Sequence, residues 1–190
     1  VRILPIPQLV APQTIEPATS LPSFLYLATS AETMGKAFTL PWNESSRFAV
    51  GVVARGLSAE FPERTIGAAK SWLCHTKVDR HQAILPWNAP ESVSRISPVT
   101  ATRRFLEHLI AAWNQAQPDA PITDQTVVLT VPASFDASAC ELTREAALAA
   151  GLPDTLVLLE EPQAATYAWL NAVGDRWRKM VTVGDRLLVC

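Results

Sequence analysis

The sequence is short of glycine, with seven in 190 residues, and holds neither a G-x-x-x-x-G-K-[ST] nor a G-x-G-x-x-G loop. A backbone cradle for a phosphate chain therefore has no local source in these residues. Cysteine is scarce and odd in number: Cys74, Cys140 and Cys190 lie far apart and form no C-x-x-C pair. The three histidines supply no H-x-x-x-H ligand pair. Neither a disulfide framework nor a zinc site is expected, and a reducing cytoplasm is the default compartment. No apolar run approaches the ~20 residues of a membrane-spanning helix, so no membrane partner is expected. Basic charge is not in excess either, since 16 Lys and Arg stand against 18 Asp and Glu for a net of −2. That balance leaves no electrostatic footprint for nucleic acid. The start, from Val1 to Val10, has no initiator methionine and no Ala-x-Ala cleavage pattern. It reads as a cut through a longer chain, not as a secretory leader.

What is present is a composition for folding, 48% hydrophobic and 18% charged. The length suits one domain, or two small subdomains sharing a core. Five of the fifteen prolines fall in residues 1–22, which predicts an extended or looped lead-in without helix. Ser23-Phe-Leu-Tyr-Leu-Ala28 and Arg47-Phe-Ala-Val50 read as short strands. Val52 to Phe61 has helical spacing and stops at Pro62, Thr65 to Leu73 reads as a short helix or turn, and Cys74 to Ser94 is irregular. Ser97-Pro98 opens a helix, as N-cap and first helical residue. Its apolar face is Val99, Leu106, Leu109, Ile110 and Trp113, and it ends near Gln117-Pro118.

The second half predicts a regular alternation. Thr126 to Val131 is a continuous apolar and β-branched run, expected as a strand buried on both faces. Asp136 caps a helix running to Ala150, closed by Gly151 in a left-handed C′ position. Leu156-Val-Leu-Leu159 reads as another buried strand, Pro162 opens a helix through Leu170, and Arg186 to Cys190 begins one more apolar strand. Strand, helix, strand, helix, strand is a βαβ order and predicts an α/β fold with parallel pairing.

Two positions carry candidate chemistry. Glu160 and Glu161 stand at the carboxyl end of a strand, where ligands gather in open α/β sheets. A carboxylate there can hold a metal's water shell or orient an attacking water, although both also suit the positive end of a helix dipole. Lys70 can place an ammonium on a phosphate oxygen, although a lone lysine is ordinarily a solvated one. Ser134 is outside any G-x-S-x-G setting and reads as a turn residue. Trp72, Trp87, Trp113 and Trp169 read as packing residues.

Several segments together resemble one family. Val128-Leu-Thr-Val-Pro-Ala-Ser-Phe135, the helix Leu142-Thr-Arg-Glu-Ala-Ala-Leu-Ala-Ala-Gly-Leu152 and Leu159-Glu-Glu-Pro-Gln-Ala-Ala165 resemble, in order, segments of DnaK-type chaperones, the heat shock protein 70 family. Upstream, Leu21-Pro-Ser-Phe24, Thr65-Ile-Gly-Ala-Ala-Lys70 and Ser97-Pro98 are similar to that family's first subdomain, its catalytic-lysine segment and the start of its next helix. The resemblance implies an actin-like ATPase (ribonuclease H-like) fold, with this chain as part of the first lobe only. On that reading residues 1–22 are a lead-in, 23–100 a smaller subdomain carrying Lys70, and 101–190 the βαβ part of the core subdomain. It also implies ATP or ADP with Mg²⁺ as cofactors, and client polypeptides and co-chaperones as partners through other parts of the protein. Lys70 would meet the γ-phosphate and attacking water, Glu161 would hold a water of the Mg²⁺ shell, and Pro132 would act in an allosteric relay; Glu160 is left as structural.

Departures from the family pattern are also present. Both of its glycine-rich phosphate loops would lie outside these residues, so the chain by itself is expected neither to bind nor to hydrolyse ATP. Ser134 stands where the family has a tyrosine, and Cys140 where it has an arginine used in interdomain signalling. Two other readings therefore stay open, an actin-like filament protein of the bacterial MreB type and a non-catalytic remnant or scaffold.

Overall fold

A computed structural model of the chain describes residues 2–44 and 46–189. Val1 and Cys190, the outer residues of the lead-in and of the expected last strand, lie outside the described residues. The proline-rich start is extended, as its prolines dictate, and doubles back as an antiparallel hairpin of β1 (Ile6–Ala11) and β2 (Thr14–Ala18). Next comes a three-stranded antiparallel sheet. Its centre is β3 (Leu25–Leu27), flanked by β4 (Phe48–Val50) and β5 (Thr65–Ile66). Between these strands lie α1 (Ser30–Met34), opened by a capping box of Thr29 and Glu32, and α2 (Val52–Leu57). Helix α3 (Ala69–Leu73) follows β5 at once, so Thr65 to Leu73 is a strand and a helix together.

Helix α4 (Pro98–Ala116) begins where the sequence places it. The Ser97 Oγ accepts from the Thr100 N–H at 3.0 Å, and Pro98 occupies the first turn, where an amide is not needed. Val99, Ala101, Leu106 and Ala112 of this helix are buried. Strand β6 (Val128–Val131), helix α5 (Ala137–Ala150) and strand β7 (Val157–Glu160) form the expected unit, with β6 and β7 parallel. Asp136 caps α5, taking the Ala139 N–H at 2.7 Å. Gly151 closes it at φ +104°, a left-handed conformation that other residues adopt only with strain. The chain continues through α6 (Glu161–Val173) and α7 (Trp177–Met180). No helix of the described residues is long and apolar enough to cross a membrane.

The second half departs from expectation in two respects. Strands β6 and β7 are not buried on both faces: Val128 is 51% exposed and Val157 48%. Their sheet has only these two strands, so one side of each apolar run has nothing to pack on among the described residues. The predicted terminal strand is also absent over Arg186–Val189, where Leu188 is 88% exposed and no ladder partner is present. An apolar run specifies a strand only where a neighbour completes its hydrogen bonds.

Polar contacts clamp the hairpin to the rest. Gln8 is fully buried; its Nε2 donates to the Ser20 carbonyl at 2.7 Å and its Oε1 accepts from the Val52 N–H at 3.0 Å. Gly51, at φ +85°, lets Gln8 in: a Cβ there would lie 2.5 Å from Gln8 Oε1 and 2.7 Å from Leu21 Cδ1. Beside it, His108 of α4 donates from Nε2 to the Pro7 carbonyl at 2.9 Å, with Trp42 edge-on at 5.2 Å.

Two expectations follow from this clamp. Gly51→Ala combines backbone strain with a clash against buried atoms, and a urea melt should show a loss of at least about 1–3 kcal/mol; an unchanged midpoint would contradict the clamp. His108 is held neutral because burial lowers its pKa, with a smaller upward pull from its bond to Pro7. The unfolded imidazole titrates near 6.5, so the unfolded chain takes up a proton first as pH falls. The contribution of His108 is therefore complete above about pH 6.5 and declines as pH drops from there towards the lower folded pKa. His108→Gln should flatten the stability profile between about pH 7.5 and about pH 5.5, compared with the unaltered chain.

Candidate functional site

Helix α3 buries Ala69 and Leu73, four residues apart, and so leaves Lys70 on its flank with the side chain 54% exposed. In the second half, the parallel register of β6 and β7 sets Val131 opposite Glu160. Pro132 and Glu161, each the next residue along, therefore emerge at the same strand edge. Glu161 is the first residue of α6, and Pro162 completes that turn without an unmet amide. Lys70 Nζ donates to Glu161 Oε1, an ion pair between residues 91 apart in sequence.

Next to this pair is a small cleft of about 200 Å³. Lys70 and Pro132 line it together with Thr102, Thr130, Phe135 and Leu73. Thus the structure gathers Lys70, Glu161 and Pro132, which the sequence presents in three separate segments. Glu160 is exposed and stands at the N-cap of α6 without a side-chain capping bond. Thr130 and Phe135 were not singled out in the sequence. The two-residue period of a strand places Thr130 on the same face as Pro132, which was the available signal.

Electrostatically the pair is a half-exposed one, so it orients both side chains more than it stabilises the fold. The Lys70 ammonium is a compact cation of the kind that could pair with a phosphate oxygen. The Glu161 carboxylate is an acceptor that could take a hydrogen bond from a water of a hydrated Mg²⁺ ion. No group of three or more His, Cys, Asp or Glu gathers among the described residues, so these two side chains would form only part of such a site.

Other sequence candidates sit apart from nucleophilic chemistry. Ser134 is an exposed turn residue, as its setting suggested. Cys74 ends α3, and burial, aided by Asp136, pushes its thiol pKa up, the opposite of an activated thiolate. Trp113 packs as expected, its Nε1 donating to the Ala120 carbonyl at 2.8 Å. Trp87 differs: it stacks on Trp72 at 4.9 Å but is 51% exposed, so this stack lies at the surface.

No protein-family model matches the chain. Among curated proteins, the "Chaperone protein HscA homolog" of Methylibium petroleiphilum is 32% identical over an alignment of 133 residues that covers 66% of this chain. They make up 21% of that protein, so the chain spans about a fifth of the length of the relative it matches. The similarity to this chaperone therefore takes in part of this chain and a smaller part of the relative.

Because the ion pair is half exposed, Lys70→Ala and Glu161→Ala should each shift unfolding free energy by less than about 1 kcal/mol, with coupling in a double-mutant cycle below the same figure. Chemical denaturation of the four proteins checks this; a coupling of several kcal/mol would make the pair a structural lock.

Proposed function

We propose that the chain is part of the ATP-binding domain of a heat shock protein 70-type, ATP-dependent protein-folding chaperone. The proposed fold is the actin-like, ribonuclease H-like one, with residues 23–100 as the smaller subdomain of the first lobe and 101–190 as part of its core subdomain. The observation that supports this reading best is the meeting of Lys70 and Glu161 beside Pro132, at the carboxyl edge of a parallel strand pair. That edge is where α/β sheets take ligands.

Under this reading the Lys70 ammonium holds the terminal phosphate and the attacking water, and so offsets charge that grows as the phosphoryl group leaves. Glu161 accepts a hydrogen bond from a water of the metal shell and keeps that water oriented. With Mg²⁺ and ATP bound, the metal neutralises phosphate charge and the nucleotide supplies the phosphoryl group. The mutual ion pair of Lys70 and Glu161 must part to accept both, which its exposure makes cheap. Pro132, which lines the cleft beside Lys70, would act in the allosteric relay that carries nucleotide state to the rest of the protein. Client polypeptides and co-chaperones would engage other parts of the protein.

Calorimetric titration of Mg-ATP into this chain, and into one extended on both sides by its own flanking sequence, tests the reading. Binding is expected for the extended chain alone, since the residues here hold no glycine-rich cradle. In that longer chain, Lys70→Ala should lower ATP turnover by about 100-fold or more while the fold persists. Unchanged turnover in Lys70→Ala, or no nucleotide binding by either chain, would sink it.

A further inference from the structure

A cleft of about 580 Å³ belongs to a different part of the molecule from Lys70 and Glu161. Strand β3 separates the two: Ser23, just before it, lines the smaller cleft, whereas Leu27 and Ala28, at its far end, line the larger. The two clefts share no lining residue. What distinguishes the larger one is its charge. Arg47 precedes β4, Arg64 ends the short helical turn after α2, and Arg104 comes from α4; all three line the cleft, and no acidic side chain does. This concentration of guanidinium groups occurs in a chain whose formal net charge is −2.

Each arginine is placed differently. Arg104 lies over the Phe48 ring, 4.9 Å from its centroid, and donates to Glu107 Oε2 at 2.7 Å. Glu107 is divided, because its other oxygen takes Arg103 at 2.7 Å, so one carboxylate serves two guanidinium groups. Arg64 donates from Nη1 to the Leu27 carbonyl at 3.3 Å, a neutral partner. The exposed Arg47 side chain makes no hydrogen bond or ion pair with another described residue. The nearby Glu32 carboxylate is occupied elsewhere, by the Tyr26 hydroxyl and by the N–H and hydroxyl of Thr29. Ser30, Ser92 and Ser94 add hydroxyl groups to the wall, and Leu27, Phe48 and Ile96 add apolar surface.

Guanidinium forks with hydroxyl donors are the chemistry that recognises a phosphate group, and a doubly charged anion relieves the repulsion among three like charges that share one carboxylate partner among the described residues. The volume exceeds what a bare phosphate fills and falls in the range of small-molecule sites. From these observations we infer that this cleft binds a small organic phosphate monoester. Its phosphate sits among Arg47, Arg64 and Arg104, and its apolar body lies along Phe48 and Ile96. The site is independent of the nucleotide reading, since neither Lys70 nor Glu161 contributes to it.

The test is calorimetric titration of the 190-residue chain with inorganic phosphate and with phenyl phosphate, at constant ionic strength held by chloride. Saturable one-to-one binding is expected, tighter for phenyl phosphate than for inorganic phosphate. Arg47→Gln should weaken both by about tenfold, the scale of one charge-assisted hydrogen bond. Its side chain holds nothing else in place, so this variant should fold. Lys179→Gln, an exposed charge on α7 away from the cleft, should bind as the unaltered chain does. No saturable binding, equal affinity for the two probes, unchanged affinity in Arg47→Gln, or loss of binding in Lys179→Gln would each overturn the inference.

Discussion

Helix α4 supplies a side chain to three separate apolar clusters, and their relative placement rests on it. Ala101 packs against Leu25, Val50 and Ile66 of the antiparallel sheet and Ala69 of α3. Val99 joins Leu73 of α3 to Leu142 and Ala146 of α5. Leu106 meets Ala147 of α5 and Leu156 at the approach to β7. A buried leucine contributes about 1.5–3 kcal/mol, so each cluster matters, but the consequence for the site is geometric. Lys70 hangs from α3 and Glu161 follows β7, and α4 is the rigid member between them.

The hairpin at the start of the chain is attached by another kind of force. Its apolar contribution includes Leu9, and its specificity comes from Gln8 and His108, buried polar groups whose partners are backbone atoms. A buried amide or imidazole without its partners is costly, so this arrangement admits one docking of the hairpin and penalises others. Gly51 is the local condition for it, because any side chain there would occupy the space of the Gln8 carboxamide.

Electrostatic groups are distributed unevenly over this frame. At the β6–β7 edge one ammonium meets one carboxylate, a neutral pair that can open to larger partners. At the far end of β3 three guanidinium groups share a cleft, and among the described residues the one carboxylate paired with any of them is split between Arg104 and Arg103. The first arrangement agrees with the nucleotide chemistry proposed above. In the second, Arg104 and Arg64 also serve the fold, through Phe48, Glu107 and the Leu27 carbonyl, while the Arg47 side chain has no partner among the described residues.

How much of this was legible in the sequence depends on the range of the interaction concerned. Caps, breakers and periodicity are local, so Ser97-Pro98, Asp136, Gly151 and Pro162 mark their helices directly, and the α/β order follows. Lys70, Glu161 and Pro132 were recognisable one at a time because their neighbours form motifs. The exposure of Val128 and Val157, and the absence of a strand over Arg186–Val189, were not legible, because burial of a strand is decided by what pairs beside it. The convergence of Arg47, Arg64 and Arg104 left no trace in spacing, since they come from three elements. By itself the sequence determined the local elements and the identity of the candidate groups, through capping and backbone sterics acting over a few residues. Only the tertiary structure decided that Lys70 meets Glu161 and that three arginines share one cleft, because both depend on α4 packing segments that lie far apart along the chain.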